Sequence, residues 1–208
     1  MELSSIIFDY GGVISLSQNS SHIRSICRIL KIDTAQYRFV YQKFRNAYDS
    51  GLISAKQYWQ TVIGHIDADR MISAHELNEL IHHDVLSWAD INQNTYRLIQ
   101  KLYKNKYKLA ILSNMTFDTL RHLMKKTKWM KYFSVRIFSC EEKICKPDKS
   151  IFMTTLKRLS EDSANALLID DSIVNISAAQ RIGINSIHYT NHFELAEKLK
   201  IKYGIHIY

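Results

Sequence analysis

The sequence predicts an α/β protein in which a parallel sheet flanked by helices is interrupted, after its first strand, by an all-helical segment. Three observations carry this. From residue 91 onward, short apolar runs alternate with amphipathic helical patterns, the signature of parallel strands joined by helical crossovers. One further apolar run, Ser5-Ile6-Ile7-Phe8, stands alone near the start. Between the two, from about Ser20 to Ser87, the apolar spacing is helical and no strand is evident.

The elements follow in order. Ser5 to Phe8 reads as a buried strand that stops at Asp9 and a Gly11-Gly12 turn. Ile23, Ile26, Cys27 and Leu30 recur at helical spacing, as do Tyr37, Val40, Tyr41 and Phe44, then Tyr58, Val62 and His65, and finally Leu77, Leu80 and Ile81. Gly51 breaks the second of these helices, and Ser54 with Gln57 forms a capping box that starts the third. The alternating part then reads helix 91–103, strand 107–112, helix 116–126, strand 134–138, helix 148–159, strand 166–169, helix 173–181, strand 184–189 and helix 192–200. Gly183 stops the helix before the last strand.

Bulk properties narrow the class. A chain of 208 residues can bury one core, or one core plus a small inserted unit. No run approaches the roughly 20 apolar residues of a membrane span. The first nine residues lack the pattern of a secretory signal. Cys27, Cys140 and Cys145 are odd in number and unclustered, so a cytoplasmic location with reduced thiols is expected. The formal net charge is +8. The densest basic cluster is Lys125, Lys126, Lys128 and Lys131 around Trp129, but no nucleic-acid motif accompanies it. A surface that attracts anionic small molecules accounts for the same balance.

The chemistry sits at strand ends. Three strands finish in polar residues: Asp9, Ser113-Asn114 and Asp170-Asp171; Lys146 lies in a loop before Pro147 and a helix. In a parallel sheet these carboxyl ends share one edge, where ligands bind. Singly, each has an ordinary explanation as turn or cap chemistry. Their conjunction is what points to a site.

In these four segments the chain resembles the haloacid dehalogenase-like hydrolases. The segments are Ile6-Ile7-Phe8-Asp9-Tyr10-Gly11-Gly12-Val13-Ile14, Leu109-Ala110-Ile111-Leu112-Ser113-Asn114, Cys145-Lys146-Pro147-Asp148 and Leu167-Leu168-Ile169-Asp170-Asp171-Ser172. They stand in the family's order across nearly the whole chain. The resemblance implies a Rossmann-like core of residues 1–15 and 88–208 and a helical cap domain of residues 16–87. The wording of the motifs is similar to the subgroup that contains sugar-phosphate phosphatases, and the resemblance implies Asp9 as nucleophile on a small phosphorylated substrate, with an aspartyl-phosphate intermediate. It implies Mg²⁺ held by Asp9, the Gly11 carbonyl and Asp171, with Asp170 close by on water or Lys146. Ser113, the Asn114 backbone and Lys146 would hold the phosphate, and Asn175 would support the acidic pair. A hard cation with oxygen ligands and a fixed carboxylate suits phosphoryl transfer, which needs mainly positioning and charge neutralisation.

One position departs from the pattern. Family phosphatases usually carry a second aspartate two residues after the nucleophile, as general acid and base. Here it is Gly11. Two alternatives therefore stand beside the phosphatase: a 2-haloacid dehalogenase using the same Asp9, and a non-catalytic domain that binds phosphate ligands or a protein. Within the cap, Arg45 and Tyr48 lie three apart before Gly51 and are expected to share a face that points into the cleft toward the leaving group.

Overall fold

The computed structural model describes residues 3–127 and 129–206. Met1 and Glu2, Lys128 of the basic cluster and the side chain of Lys126 lie outside what is described.

Five parallel strands form the sheet: β1 (Ser5–Phe8), β2 (Lys108–Ser113), β3 (Val135–Phe138), β4 (Ala166–Asp170) and β5 (Asn185–His188). Their order is β3-β2-β1-β4-β5. The chain builds outward from β1 on one side and then returns to its other side with β4, so the switch in direction lies between β1 and β4. The crevice outside the carboxyl ends of those two strands is where such sheets bind ligands.

β1 is buried on both faces, and its alternation shows it. Ile6 and Phe8 join the apolar layer with Leu98, Leu102, Leu123 and Leu199, while Ile7 points to the opposite layer with Phe152, Leu156 and Ile176. Each such fully buried aliphatic or aromatic side chain contributes about 1.5–3 kcal/mol. The strand leading into Asp9 is thus anchored on both faces.

Helices α1 (Ser20–Leu30), α2 (Thr34–Asp49), α3 (Ala55–Ile66) and α4 (Ala74–Ser87) separate β1 from the rest. They pack around an apolar cluster of their own, including Ile26, Leu30, Tyr37, Trp59, Ile63 and Leu80. The Ser54–Gln57 capping box starts α3, and equivalent boxes at Asp33–Gln36 and Ser73–Glu76 start α2 and α4. The two chain segments joining this insert to the sheet run side by side. Ser15 bridges Ile91, Leu16 N donates to Asp90 O at 2.7 Å and Asn92 N donates to Ile14 O at 2.9 Å.

The remaining helices are α5 (Gln93–Lys104), α6 (Phe117–Lys126), α7 (Ser139–Glu142), α8 (Lys149–Leu159), α9 (Ile173–Gln180) and α10 (His192–Tyr203). The short α7 follows β3 directly and was not evident in the sequence, since four residues show no helical period. Asn92, Thr116, Asp148 and Asn191 sit at N-caps just outside or at the edge of the expected spans, because their side chains accept from the first-turn N–H groups. Cys27, Cys140 and Cys145 are buried free thiols. Trp129 is buried and stacked on Tyr10 at 5.8 Å between ring centroids, so it is core and not an aromatic platform for nucleic acid. Among the described residues no helix is long and apolar enough to cross a membrane.

Candidate active site

Asp9 is the first residue beyond β1. Its N–H donates to Ile169 O at 2.9 Å, which continues the pairing with β4 and fixes the backbone. Tyr10 N donates to Asp9 Oδ1 at 2.6 Å. The chain then turns within Tyr10–Ile14, where Gly12 has φ +71°. A Cβ there would lie 2.3 Å from Asp171 Oδ2, so only glycine lets the Asp9 turn approach the Asp171 carboxylate.

Lys146 completes the centre. Its Nζ lies 2.9 Å from Asp9 Oδ1 and donates to Asp170 Oδ2 at 2.6 Å and to Leu112 O at 3.0 Å. The loop that carries it is held by Asn114, whose side chain accepts from Lys146 N at 2.8 Å and donates to Lys146 O at 2.9 Å. Asp170 is fully buried. Besides Lys146 it accepts from Ser172 N at 2.8 Å and from Asn175 Nδ2 at 3.0 and 3.2 Å.

The electrostatics are unbalanced toward negative charge. Carboxylate oxygens of Asp9, Asp170 and Asp171 lie within 4.8 Å of one another against a single lysine. Burial pushes the Asp9 carboxyl up to about 7, against the opposing pull of Lys146 and with the help of Asp170. Burial and the neighbouring Asp170 also raise Asp171. Burial opposes the charge of Lys146, but Asp170 and Asp9 outweigh it and hold the ammonium above its ordinary value. A cluster of like charge that resists ionisation is the donor set a hard divalent cation fits.

These groups open into a cavity of about 560 Å³, a size suited to a small molecule. The sheet side contributes Asp9, Gly11, Asn114, Lys146, Asp171 and Asn175. The insert contributes Tyr41, Gln42, Arg45 and Asp49, and Trp88 comes from the end of α4. A Cβ on Gly11 would lie 3.3 Å from Trp88 Cζ3, so the indole stands where a side chain at that position would project. Trp88 is itself held at both ends: Tyr10 Oη donates to its carbonyl at 2.6 Å and its Nε1 donates to Tyr41 Oη at 3.2 Å.

The structure thus brings Asp9, Gly11, Asn114, Lys146, Asp171 and Arg45 to one cavity, with Asp170 behind Lys146. Two expected residues, Ser113 and Tyr48, lie away from the cavity lining, and a third, Arg45, reaches it already engaged. Ser113 is buried at the end of β2 behind the cavity wall, its hydroxyl 3.4 Å from Asn114 O. Tyr48 does not line the cavity. It lies in the insert's own core, stacked on Tyr58 at 4.7 Å, and its hydroxyl donates to Asp118 on α6 at 2.8 Å. Arg45 lines the cavity but is already paired, with Nε donating to Asp49 at 2.7 Å and Nη1 to both oxygens of Asp84 at 2.9 and 2.8 Å. Asp84 extends the apolar spacing of Leu77, Leu80 and Ile81. A carboxylate on that buried face was the signal that a cation would be drawn inward to meet it. Trp88 and Asp49 carried no comparable signal.

Because Tyr48 joins the insert to α6 and does not face the cavity, Tyr48→Phe is expected to cost about 0.5–1.5 kcal/mol in urea denaturation. Its kcat/KM is expected to stay within about twofold of wild type, less than half of one 1.4 kcal/mol decade. A large selective loss on bulky substrates would place the hydroxyl at the site after all.

The comparisons with known proteins agree with this geometry. Residues 6–189 match the family model described as haloacid dehalogenase-like hydrolase, and the chain belongs to that family. Pyrophosphatase PpaX of Listeria monocytogenes is 30% identical over 115 residues, which are 54% of this chain and 51% of that protein. The chain spans about half the length, or less, of the curated relatives it matches. An HAD family enzyme of Bacteroides thetaiotaomicron superposes with a TM-score of 0.74 at 21% identity, covering 91% of this chain and 95% of that one. An Asp-to-Ala mutant of the same enzyme, in complex with magnesium and inorganic phosphate, superposes at 0.72 with 22% identity over 90% and 94% of the two chains.

Proposed function

We propose that this chain is a magnesium-dependent phosphatase that hydrolyses a small phosphate monoester through an aspartyl-phosphate on Asp9, with helices α1–α4 serving as its cap. The observation that carries this is the placement of Asp9 at the β1/β4 switch point, in one cavity with Asp171 and with Lys146, which Asp170 holds from behind. The phosphatase relatives and the magnesium and phosphate complex of a structural neighbour support the same reading.

Asp9 and Asp171 would hold the cation through carboxylate oxygens, with the Gly11 carbonyl as a third. Asp170 has both oxygens engaged, so it acts by fixing Lys146. When bound, Mg²⁺ neutralises phosphate charge and keeps Asp9 ionised. The second Asp9 oxygen attacks phosphorus, the bond to the ester oxygen breaks, and its electron pair leaves on that oxygen, which then takes a proton from solvent water. Lys146 offers a positive charge to the transferring oxygens and to Asp9. Water then attacks the same phosphorus and gives up a proton to solvent, the bond to Asp9 breaks with its electron pair returning to the carboxylate, and phosphate departs.

Two expectations test this. Saturation with Mg²⁺, at about 100 times its Kd, is expected to add about 2.7 kcal/mol and raise the melting midpoint by about 5–10 °C. Asp171→Asn is expected to abolish that shift, and an unchanged wild-type midpoint would contradict the cation site. Gly11 and the indole beside it supply no acid for the leaving oxygen, so the usual hundredfold to ten-thousandfold help, roughly, is missing. Rates across a series of aryl phosphates are therefore expected to fall steeply as the leaving phenol becomes more basic. A flat series would reveal another proton donor.

Gly11 alone also suits 2-haloacid dehalogenation, whose halide needs no proton. The substrate there is a carboxylate, and beside Asp9 it would meet Asp171, while Lys146, the only lysine lining the cavity among the described residues, is already paired to two acids. Activity that survives excess chelator would favour that reading.

A further inference from the structure

The cavity has two ends, and the one away from the sheet faces whatever the phosphoryl group leaves behind. This inference rests on the phosphatase reading above. Arg45 is the only cationic side chain among the described residues that line that end. Its charge is already matched, by Asp49 on one edge of the guanidinium and by both oxygens of Asp84 on the other. Asp84 is fully buried, and Arg45 lies 4.6 Å above the Tyr41 ring and 5.1 Å from the Tyr48 ring. The guanidinium is therefore a fixed part of the wall.

Two carboxylates against one guanidinium make this wall negative when both are ionised, and neutral if one takes up a proton. In neither state is it positive. Burial raises both Asp49 and Asp84, against the pull of Arg45, which sets only the balance between those two states. A second phosphate or a carboxylate on the leaving group would lose its hydration and gain no free cation, a cost that grows as the cleft dries. What the wall does offer is suited to hydroxyl groups. The Tyr41 hydroxyl already accepts from Trp88 Nε1, so its own proton is available to donate. The Gln42 amide can donate or accept, the Asp49 carboxylate can accept, and the Trp88 indole presents an apolar face.

We infer that the substrate carries a single phosphate on an uncharged, hydroxyl-bearing alcohol, a neutral sugar or polyol monophosphate, and that the Arg45–Asp49–Asp84 wall excludes alcohols bearing a second anionic group. Matched pairs test this, because each pair keeps the leaving oxygen alike and changes only the distant charge. The full chain with Mg²⁺ is assayed on a hexose 6-phosphate against the corresponding 6-phosphohexonate, on glycerol phosphate against phosphoglycerate, and on p-nitrophenyl phosphate. The neutral member of each pair is expected to have the higher kcat/KM, by about tenfold or more. Asp49→Asn, which uncovers part of the Arg45 charge, and Gln42→Lys, which adds an unmatched cation to the same wall, are each expected to shift the charged-to-neutral ratio at least about tenfold toward the charged member.

Wild-type rates equal or higher on the charged members, or a ratio unmoved in both variants, would overturn the inference. Hydrolysis of p-nitrophenyl phosphate together with a preference for charged alcohols would do so while leaving the phosphatase reading intact. No phosphate release from any of the compounds would overturn that reading, and this inference with it.

Discussion

Asp9→Asn is expected to lower kcat on any phosphate ester by about 10⁴-fold or more, with the fold and thermal midpoint retained. The amide matches the carboxylate in shape, so the Tyr10 N–H and Lys146 keep an oxygen to meet. What is lost is the proposed nucleophile. Stability should move the other way. The Asp9 carboxyl titrates at about 7 in the folded chain, above its ordinary value, mainly because burial penalises its charge. An acid raised by folding lowers stability once the pH exceeds its unfolded value, and the deficit grows until the pH passes the folded one. Without divalent cation, the asparagine variant is therefore expected to melt no lower than wild type near pH 8. The difference should close as the pH falls from about 7 into the ordinary carboxylate range. Thermal melts of the two proteins across that range read this directly. A variant that melts well below wild type would mean that Asp9 is held for its ion pair, as a structural residue.

Lys146→Met is expected to damage both stability and activity. The side chain is 1% exposed and separates two carboxylates, at 2.9 Å from Asp9 and 2.6 Å from Asp170. Methionine fills the volume but leaves two buried acids facing one another, a situation that typically costs about 3–5 kcal/mol. The sign with pH follows from the shifts. Lys146 is raised by its partners, so its contribution is complete at neutral pH and is lost only above the ordinary lysine range. In the variant the uncompensated acids cost most when ionised, so its deficit should shrink as the pH falls and protons replace the missing ammonium. Adding Asp170→Asn to the variant is expected to recover part of the stability and none of the activity. Urea denaturation at neutral and acid pH measures the first, and phosphate release the second. Equal deficits at both pH values would contradict the pairing described here.

The groups at the carboxyl ends of the strands were legible in the sequence because a parallel sheet leaves them little choice. Once β1, β2 and β4 are read as parallel strands, Asp9, Asn114 and Asp171 must share an edge. The side chains of the insert were less legible for the opposite reason. A helix offers its residues all directions, and packing decides among them. Arg45 and Tyr48 do share a face, as their spacing requires, yet Asp84 from α4 and Asp118 from α6 settle where their polar ends go. Both partners lie far away in sequence, so neither contact follows from local pattern. The indole over Gly11 belongs to the same class, since Trp88 reaches the turn only because the two connecting segments run side by side.

The central claim is that Asp9 forms a covalent bond to phosphorus. The most direct measurement is an acid quench of wild-type protein during its first turnover of an aryl phosphate with Mg²⁺, followed by mass spectrometry of the peptide that contains Asp9. The expected result is a phosphoryl group on Asp9 that appears before free phosphate accumulates and is absent from Asp9→Asn. Burst-free phosphate release with Asp9 unmodified at every quench time, or a phosphoryl group on another residue, would contradict the account.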